Sequence, residues 1–232
     1  MTTIKMSFVL AMTGVVIGGC SPQASQQTYA PTPPPVSSSA TQVVRDAIDD
    51  VGRYGEEIYD LVKLRDWSKA ASDVVFLKQA ASKLPAEVNG NGRPTVELQN
   101  TIQALDEAIT EKNWERATRE ANQITWIGAD LSAPFNPLVP IEVTRLDYYG
   151  RQLEISSAEK DEPRLKATAA DMASAWKSLR PRIEAAGGVS EAENFSKLVA
   201  QVQAARSPGD FGKLASPVLD EVDNLEQVFI RK

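Results

Sequence analysis

From Thr41 onward the apolar residues recur at every third or fourth position, which is the period of an amphipathic helix. Val44, Ile48, Val51, Gly55, Ile58 and Val62 line one face of a first helix. Asp66 can cap a second, carrying Trp67, Ala71, Val74, Leu77 and Leu84, before Pro85 and Asn89-Gly90-Asn91-Gly92 break the pattern. A third begins near Thr95 and stops at Lys112. Asn113 caps a fourth that runs to about Leu131 on a stripe of Trp114, Ala117, Ala121, Thr125, Gly128 and Leu131. No run alternates with the period of two that strands need, and Val139 to Val143 is the one plausible extended apolar stretch.

The starts of these helices repeat. Arg65-Asp66-Trp67-Ser68-Lys69-Ala70 and Lys112-Asn113-Trp114-Glu115-Arg116-Ala117 share the order cation, capping residue, Trp, any residue, cation, Ala. The cap takes the free amides at the helix start while the aromatic packs back on the preceding helix. Gly209-Asp210-Phe211-Gly212-Lys213-Leu214 is a weaker third copy with Asp210 as the cap. A longer duplication pairs Tyr54-Gly55 with Tyr149-Gly150 and Trp114 with Phe211. The second half then holds helices near 141–159, 163–185, 190–206 and 210–230, divided by Pro163, Gly187-Gly188 and Pro208, and Ser190 to Glu193 has the spacing of a capping box. The three prolines of residues 132–140 argue against helix there. The expected fold is all-α, with tandem four-helix bundles at 41–131 and 141–232 joined by a proline-rich connector. One eight-helix bundle and a short solenoid of helical hairpins are the alternatives.

The N-terminus reads differently. Lys5, an apolar run from Phe8 to Val16 and Ile17-Gly18-Gly19-Cys20 form a secretion leader; the run is shorter than the roughly 20 residues that span a bilayer. Ile17-Gly18-Gly19-Cys20 resembles the lipobox of bacterial lipoproteins, an aliphatic residue and two small ones before an obligatory cysteine. The resemblance implies that residues 1–19 are removed and that Cys20 carries a diacylglyceryl thioether, anchoring the chain to the cell membrane or outer membrane on the periplasmic or exterior side. Residues 20–40 follow as a spacer, uncharged and rich in Pro and Ser, including Pro31-Thr32-Pro33-Pro34-Pro35. Near a polyproline rise of about 3.1 Å per residue, such a spacer lifts the domain up to roughly 60 Å from the lipid.

Charge and composition exclude several function classes. Removing Lys5 with the leader leaves 24 basic against 31 acidic residues, a net charge of −7, which makes nucleic acid a poor partner. The chain has no histidine, so imidazole catalysis and histidine metal ligation are excluded. Cys20 is the only cysteine, so no intramolecular disulfide forms and lipidation consumes the thiol. Asn89-Gly90-Asn91-Gly92 lacks the Gly-Lys-Ser/Thr ending of a phosphate loop and reads as a turn. Asp49-Asp50, Glu56-Glu57 and Asp161-Glu162 read as solvated helix faces, because adjacent helical residues point about 100° apart. No cofactor and no metal are expected.

Three features stand out from the helical background. Gly55 and Gly150 interrupt apolar stripes in mid-helix, where glycine costs roughly 1 kcal/mol relative to alanine; close helix crossing is the plain reason, and a backbone approach to a ligand beside Tyr54 and Tyr149 is the other. Trp126 shares its helical face with Glu115, Arg119 and Asp130 rather than with the apolar stripe. It is expected to lie under the connector, whose Phe135, Leu138 and Val139 need an apolar destination, or else to serve as an aromatic anchor for a partner. The leading expectation is a membrane-tethered, non-catalytic helical module that binds or scaffolds an envelope protein. The alternative is a solute-binding protein using a groove between the halves, with Tyr149, Arg145 and Arg151 as contacts. Tandem helical bundles on an exported chain look like the imelysin group of envelope proteins, whose HxxE metal motif needs a histidine that is absent here.

Overall fold

A computed structural model describes residues 38–88 and 92–231. The leader, Cys20, the proline run and Asn89–Asn91 of the glycine-rich loop lie outside the described residues. Eight α-helices follow one another: α1 Ser38–Lys63, α2 Trp67–Ser82, α3 Arg93–Thr110, α4 Trp114–Ser132, α5 Ile141–Glu159, α6 Glu162–Ala185, α7 Val189–Ala204 and α8 Pro208–Ile230. The fold is all-α, with no strand among the described residues.

One device makes most of the tight turns. Arg65, Lys112 and Lys160 each adopt a left-handed backbone, with φ of 64°, 54° and 57°. The amide of the next residue donates back across the turn: Asp66 to the Leu61 carbonyl at 2.9 Å, Asn113 to Ala108 at 2.8 Å and Asp161 to Ser156 at 2.9 Å. That bond closes the finished helix. The side chain of the same residue opens the next one, accepting from the backbone amide of Lys69 at 3.1 Å, Arg116 at 3.1 Å or Arg164 at 3.0 Å. The third copy of the cation–cap pair is therefore Lys160-Asp161, not Gly209-Asp210. At α8 Ser207 is the cap, with Asp210 completing a reciprocal capping box, because Pro208 favours the first helical position and sets the start three residues earlier.

Several boundaries differ from the sequence expectation for local reasons. α1 begins at Ser38, so the spacer ends before residue 40. Gly92 and Gly188 cap α3 and α7 through backbone alone; Ser190 lies inside α7 and its hydroxyl turns to Glu191 at 2.9 Å, so the capping box to Glu193 does not form. Val139 to Val143 is not a strand, since α5 takes it up from Ile141. Within the connector Ala133–Phe135 makes one 3₁₀ turn that ends at left-handed Asn136; Pro134, early in that turn, has no amide to leave unpaired. Pro181 and Pro217 stand inside α6 and α8, on the exposed side, where water reaches the carbonyl that each leaves free.

Each set of four helices closes on itself: α1 packs on α2 and α4, α3 on both α2 and α4, and the same neighbours recur among α5 to α8. Tyr59, Leu77, Leu98, Leu105, Ile124 and Leu131 are among the buried residues of the first core, and Leu146, Met172, Leu179, Phe195 and Leu225 among those of the second. Packing of α4 on α5 joins the two sets. Ile155 of α5 crosses that seam and belongs to the first core.

The two glycines mark the same crossing in each set. A Cβ on Gly55 would stand 2.9 Å from Ile124 Cγ2 and 3.2 Å from the backbone nitrogen of Thr125, where α1 meets α4. On Gly150 it would stand 2.7 Å from Leu219 Cδ2, where α5 meets α8. Gly55 and Gly150 are 95 positions apart, as are Ile124 and Leu219, and Asp66 and Asp161.

Candidate functional site

The seam between α4 and α5 carries an aromatic group built from i, i+4 pairs, which share one helix face. Trp126 and Asp130 on α4 confront Arg145 and Tyr149 on α5, with Tyr148 beside them. The Trp126 ring lies 5.0 Å from the Tyr148 ring and 6.0 Å from the Tyr149 ring, and the two tyrosines are 5.5 Å apart, all edge to face. The Arg145 guanidinium sits 4.8 Å over the indole and donates through Nη2 to Asp130 Oδ1 at 2.7 Å. Edge-to-face pairing matches the ring quadrupoles, and the cation meets the negative indole face. Asn122, fully buried on α4, donates to the Tyr148 carbonyl at 3.1 Å and holds α5 in register.

All three rings are half-buried. The connector does not cover Trp126: Phe135 packs on the first core beneath Arg45, whose guanidinium is 5.4 Å from its ring, Val139 packs on the second core, and Leu138 is 71% exposed. The cover comes from α5, because helical spacing puts Arg145, Tyr148 and Tyr149 on one face opposite it.

Beside the tyrosines lies an open depression of about 390 Å³ lined by Tyr148, Tyr149, Gln152, Asp161, Arg164 and Asp171, among others. Burial raises both tyrosine hydroxyls above their ordinary range, with Arg164 opposing the shift at Tyr148 and Arg145 at Tyr149. Both therefore stay protonated at neutral pH and can donate as well as accept. A second cavity of about 420 Å³ lies among α1, the connector and α5, with Gln42, Arg45, Asp49, Phe135 and Thr144 in its wall.

Of the residues singled out by sequence, Trp126, Tyr149 and Arg145 come together at this seam. Tyr54 does not. It stacks on Phe76 at 5.9 Å, with the Arg53 guanidinium 4.0 Å over its ring. Arg151 faces away from the aromatic group; it is 7% exposed and paired with Asp147 and Glu56. Glu56 keeps part of its side chain in solvent but also reaches Arg151 across the helices, whereas Glu57 stands in an exposed pair with Arg53 on its own helix. Tyr148, Asp130 and Arg164 were not singled out. The first two were within reach, since Asp130 stands four residues after Trp126 and Tyr148 beside Tyr149; Arg164 joins only through the α5–α6 turn. No group of acidic or cysteine side chains suited to a metal occurs among the described residues, and no described helix is long and apolar enough to cross a membrane.

No protein family, no curated protein and no solved structure matches this chain.

Proposed function

We propose that the chain is an exported lipoprotein, held to an envelope membrane by lipid on Cys20, whose helical part binds another envelope component without catalysing a reaction. The leader and Ile17-Gly18-Gly19-Cys20 support the anchor. The binding reading rests on the half-open group of Trp126, Tyr148 and Tyr149 beside the 390 Å³ depression. Large aromatics that are partly desolvated and flanked by arginine have the composition of interface hot spots. The natural partner is a protein, whose side chains can enter the depression while its surface covers the rings.

Photo-crosslinking in intact envelopes tests this. A photoreactive residue replacing exposed Ala167, in the wall of the depression, is expected to yield a discrete protein adduct, and one replacing exposed Lys83 is not. Equal labelling from both positions, or none from either, would contradict it. The cavity among α1, the connector and α5 favours a second reading, a small-solute site between the halves. Its contacts would be Arg45 and Asp49 rather than Tyr149, Arg145 and Arg151. Small-molecule stabilisation that Arg45→Ala abolishes would support it.

A further inference from the structure

Away from the aromatic seam, α5 meets α1 through charge, with acidic residues of α8 close by. The buried Arg151 guanidinium contacts Asp147 one turn earlier on α5 and Glu56 of α1 at 3.8 Å, with the Tyr59 ring 5.4 Å away. Tyr59 Oη donates to Glu154 Oε2 at 3.0 Å, and Lys63 Nζ lies 2.7 Å from Glu154 Oε1. Asp60 of α1 and Asp223 and Glu226 of α8 lie near enough to act on the group through charge, Asp60 and Asp223 from exposed positions. On α4, which packs against both α1 and α5, Arg119 is engaged by Glu159 at 2.9 Å, about two turns further along α5. Asp147 and Glu56 thus share the single guanidinium of Arg151, with Asp60, Asp223 and Glu226 adding negative charge in the vicinity, while Lys63 is occupied by Glu154.

Full ionisation would gather like charges in a partly desolvated crevice, where repulsion is stronger than in water. The contacts also fall at matching positions of the two halves. Glu56 and Arg151 are 95 residues apart, as are Tyr59 and Glu154, so the junction ties the first helix of one set to the first helix of the other.

We infer that this junction is a proton-operated clasp between the two four-helix sets, closed while its surplus carboxylates hold protons and loosened as they ionise. Burial, then Asp147, Glu226 and Asp60, push Glu56 up to about 8 against the pull of Arg151. Burial, then Asp147 and Asp223, push Glu226 up to about 7. Asp147 and Asp223 are raised as well, chiefly by burial. Glu56 keeps 39% of its side chain open, which gives the proton a route to solvent and moderates the energy at stake.

The sign follows from proton counting. Between the ordinary glutamate value of 4.5 and about 8 the folded chain binds more protons than the unfolded one, so stability falls as pH rises through that window. Compartments outside the cytoplasm follow the pH of the surroundings, so a lipoprotein located as proposed above would meet that range; the clasp itself does not depend on that location.

The test uses the full chain in detergent micelles. The urea midpoint of the wild type is expected to fall between about pH 5 and about pH 8, and Glu56→Gln, which imitates the protonated form, is expected to remove at least about half of that fall and to exceed the wild type at the alkaline end. A wild-type midpoint that is flat or rises with pH, or a Glu56→Gln profile parallel to the wild type, would overturn the clasp. Carbon-13 carboxyl titration of the wild type decides independently, should the variant fail to fold. At least one glutamate is expected to titrate more than about two units above its ordinary value, and titration of every glutamate within about one unit of that value would overturn it.

Discussion

Gly150 passes Leu219 as Gly55 passes Ile124, and each glycine lets the first helix of its set approach the last more closely than any larger residue allows. The repeated crossing accounts for two mid-helix glycines whose intrinsic cost is roughly 1 kcal/mol each.

The two sites differ in what an added methyl group meets. At Gly55 the obstruction includes the Thr125 backbone nitrogen and the Cγ2 branch of Ile124, whereas at Gly150 it is made of side-chain atoms alone, Leu219 Cδ2 and Cγ and, at 3.2 Å, Cγ1 of buried Val218. Overpacking typically costs about 1–3 kcal/mol, less the helix propensity gained from alanine. Gly55→Ala is therefore expected to lower unfolding stability by about 2 kcal/mol, and Gly150→Ala by less, because no backbone atom stands against it and half-buried Leu219, which makes the closest contact, can shift more readily than a helix backbone. Equal effects, or a stabilising Gly55→Ala, would mean that the α1–α4 approach is looser than described.

Trp126→Ala removes a half-buried ring that touches both tyrosines and Arg145. Deleting a core tryptophan costs about 3–5 kcal/mol, and partial exposure brings the expectation to about 2 kcal/mol. The same variant is expected to lose the adduct formed from position 167. Denaturant unfolding that shows a loss below about 0.5 kcal/mol, the range of an ordinary surface site, would show that the indole contributes no packing.

The closed packing of each set makes independent folding testable. Residues 38–135 and 139–232, produced separately, are each expected to remain helical and melt cooperatively. The first will lack Ile155, which fills part of its core. The second will expose Tyr148 and Tyr149 on the face that met Trp126. Calorimetry showing unfolded fragments beside a cooperatively folded full chain would mean that the α4–α5 seam is an essential part of one core.

Helix positions could be read from the chain because the signals are local. The 3.6-residue period, the Asp66 and Asn113 caps and the proline breaks all act within a few residues. The cap of α8 is ambiguous in the sequence because Ser207 and Asp210 both suit it, and only Pro208 after Ser207 decides between them. The aromatic seam was half legible: the face of Trp126 announced that something must cover it, but whether α5 or the connector does so depends on the angle at which the two four-helix sets meet. The charged junction was not legible. Asp147 and Arg151 have helical spacing, yet Glu56, Asp223 and Glu226 join them only through packing of α1 and α8.

The tether is the claim that the function depends on first. Cys20→Ala is expected to move the chain from the membrane fraction to a soluble or unprocessed form, since without the acyl chains nothing in the lipobox reading would hold it there.

The most direct measurement is mass spectrometry of the N-terminal peptide of wild-type protein extracted from native membranes. The expected peptide begins at Cys20 and carries a diacylglyceryl thioether. A peptide that retains residues 1–19, or one with a free thiol at Cys20, would contradict the account.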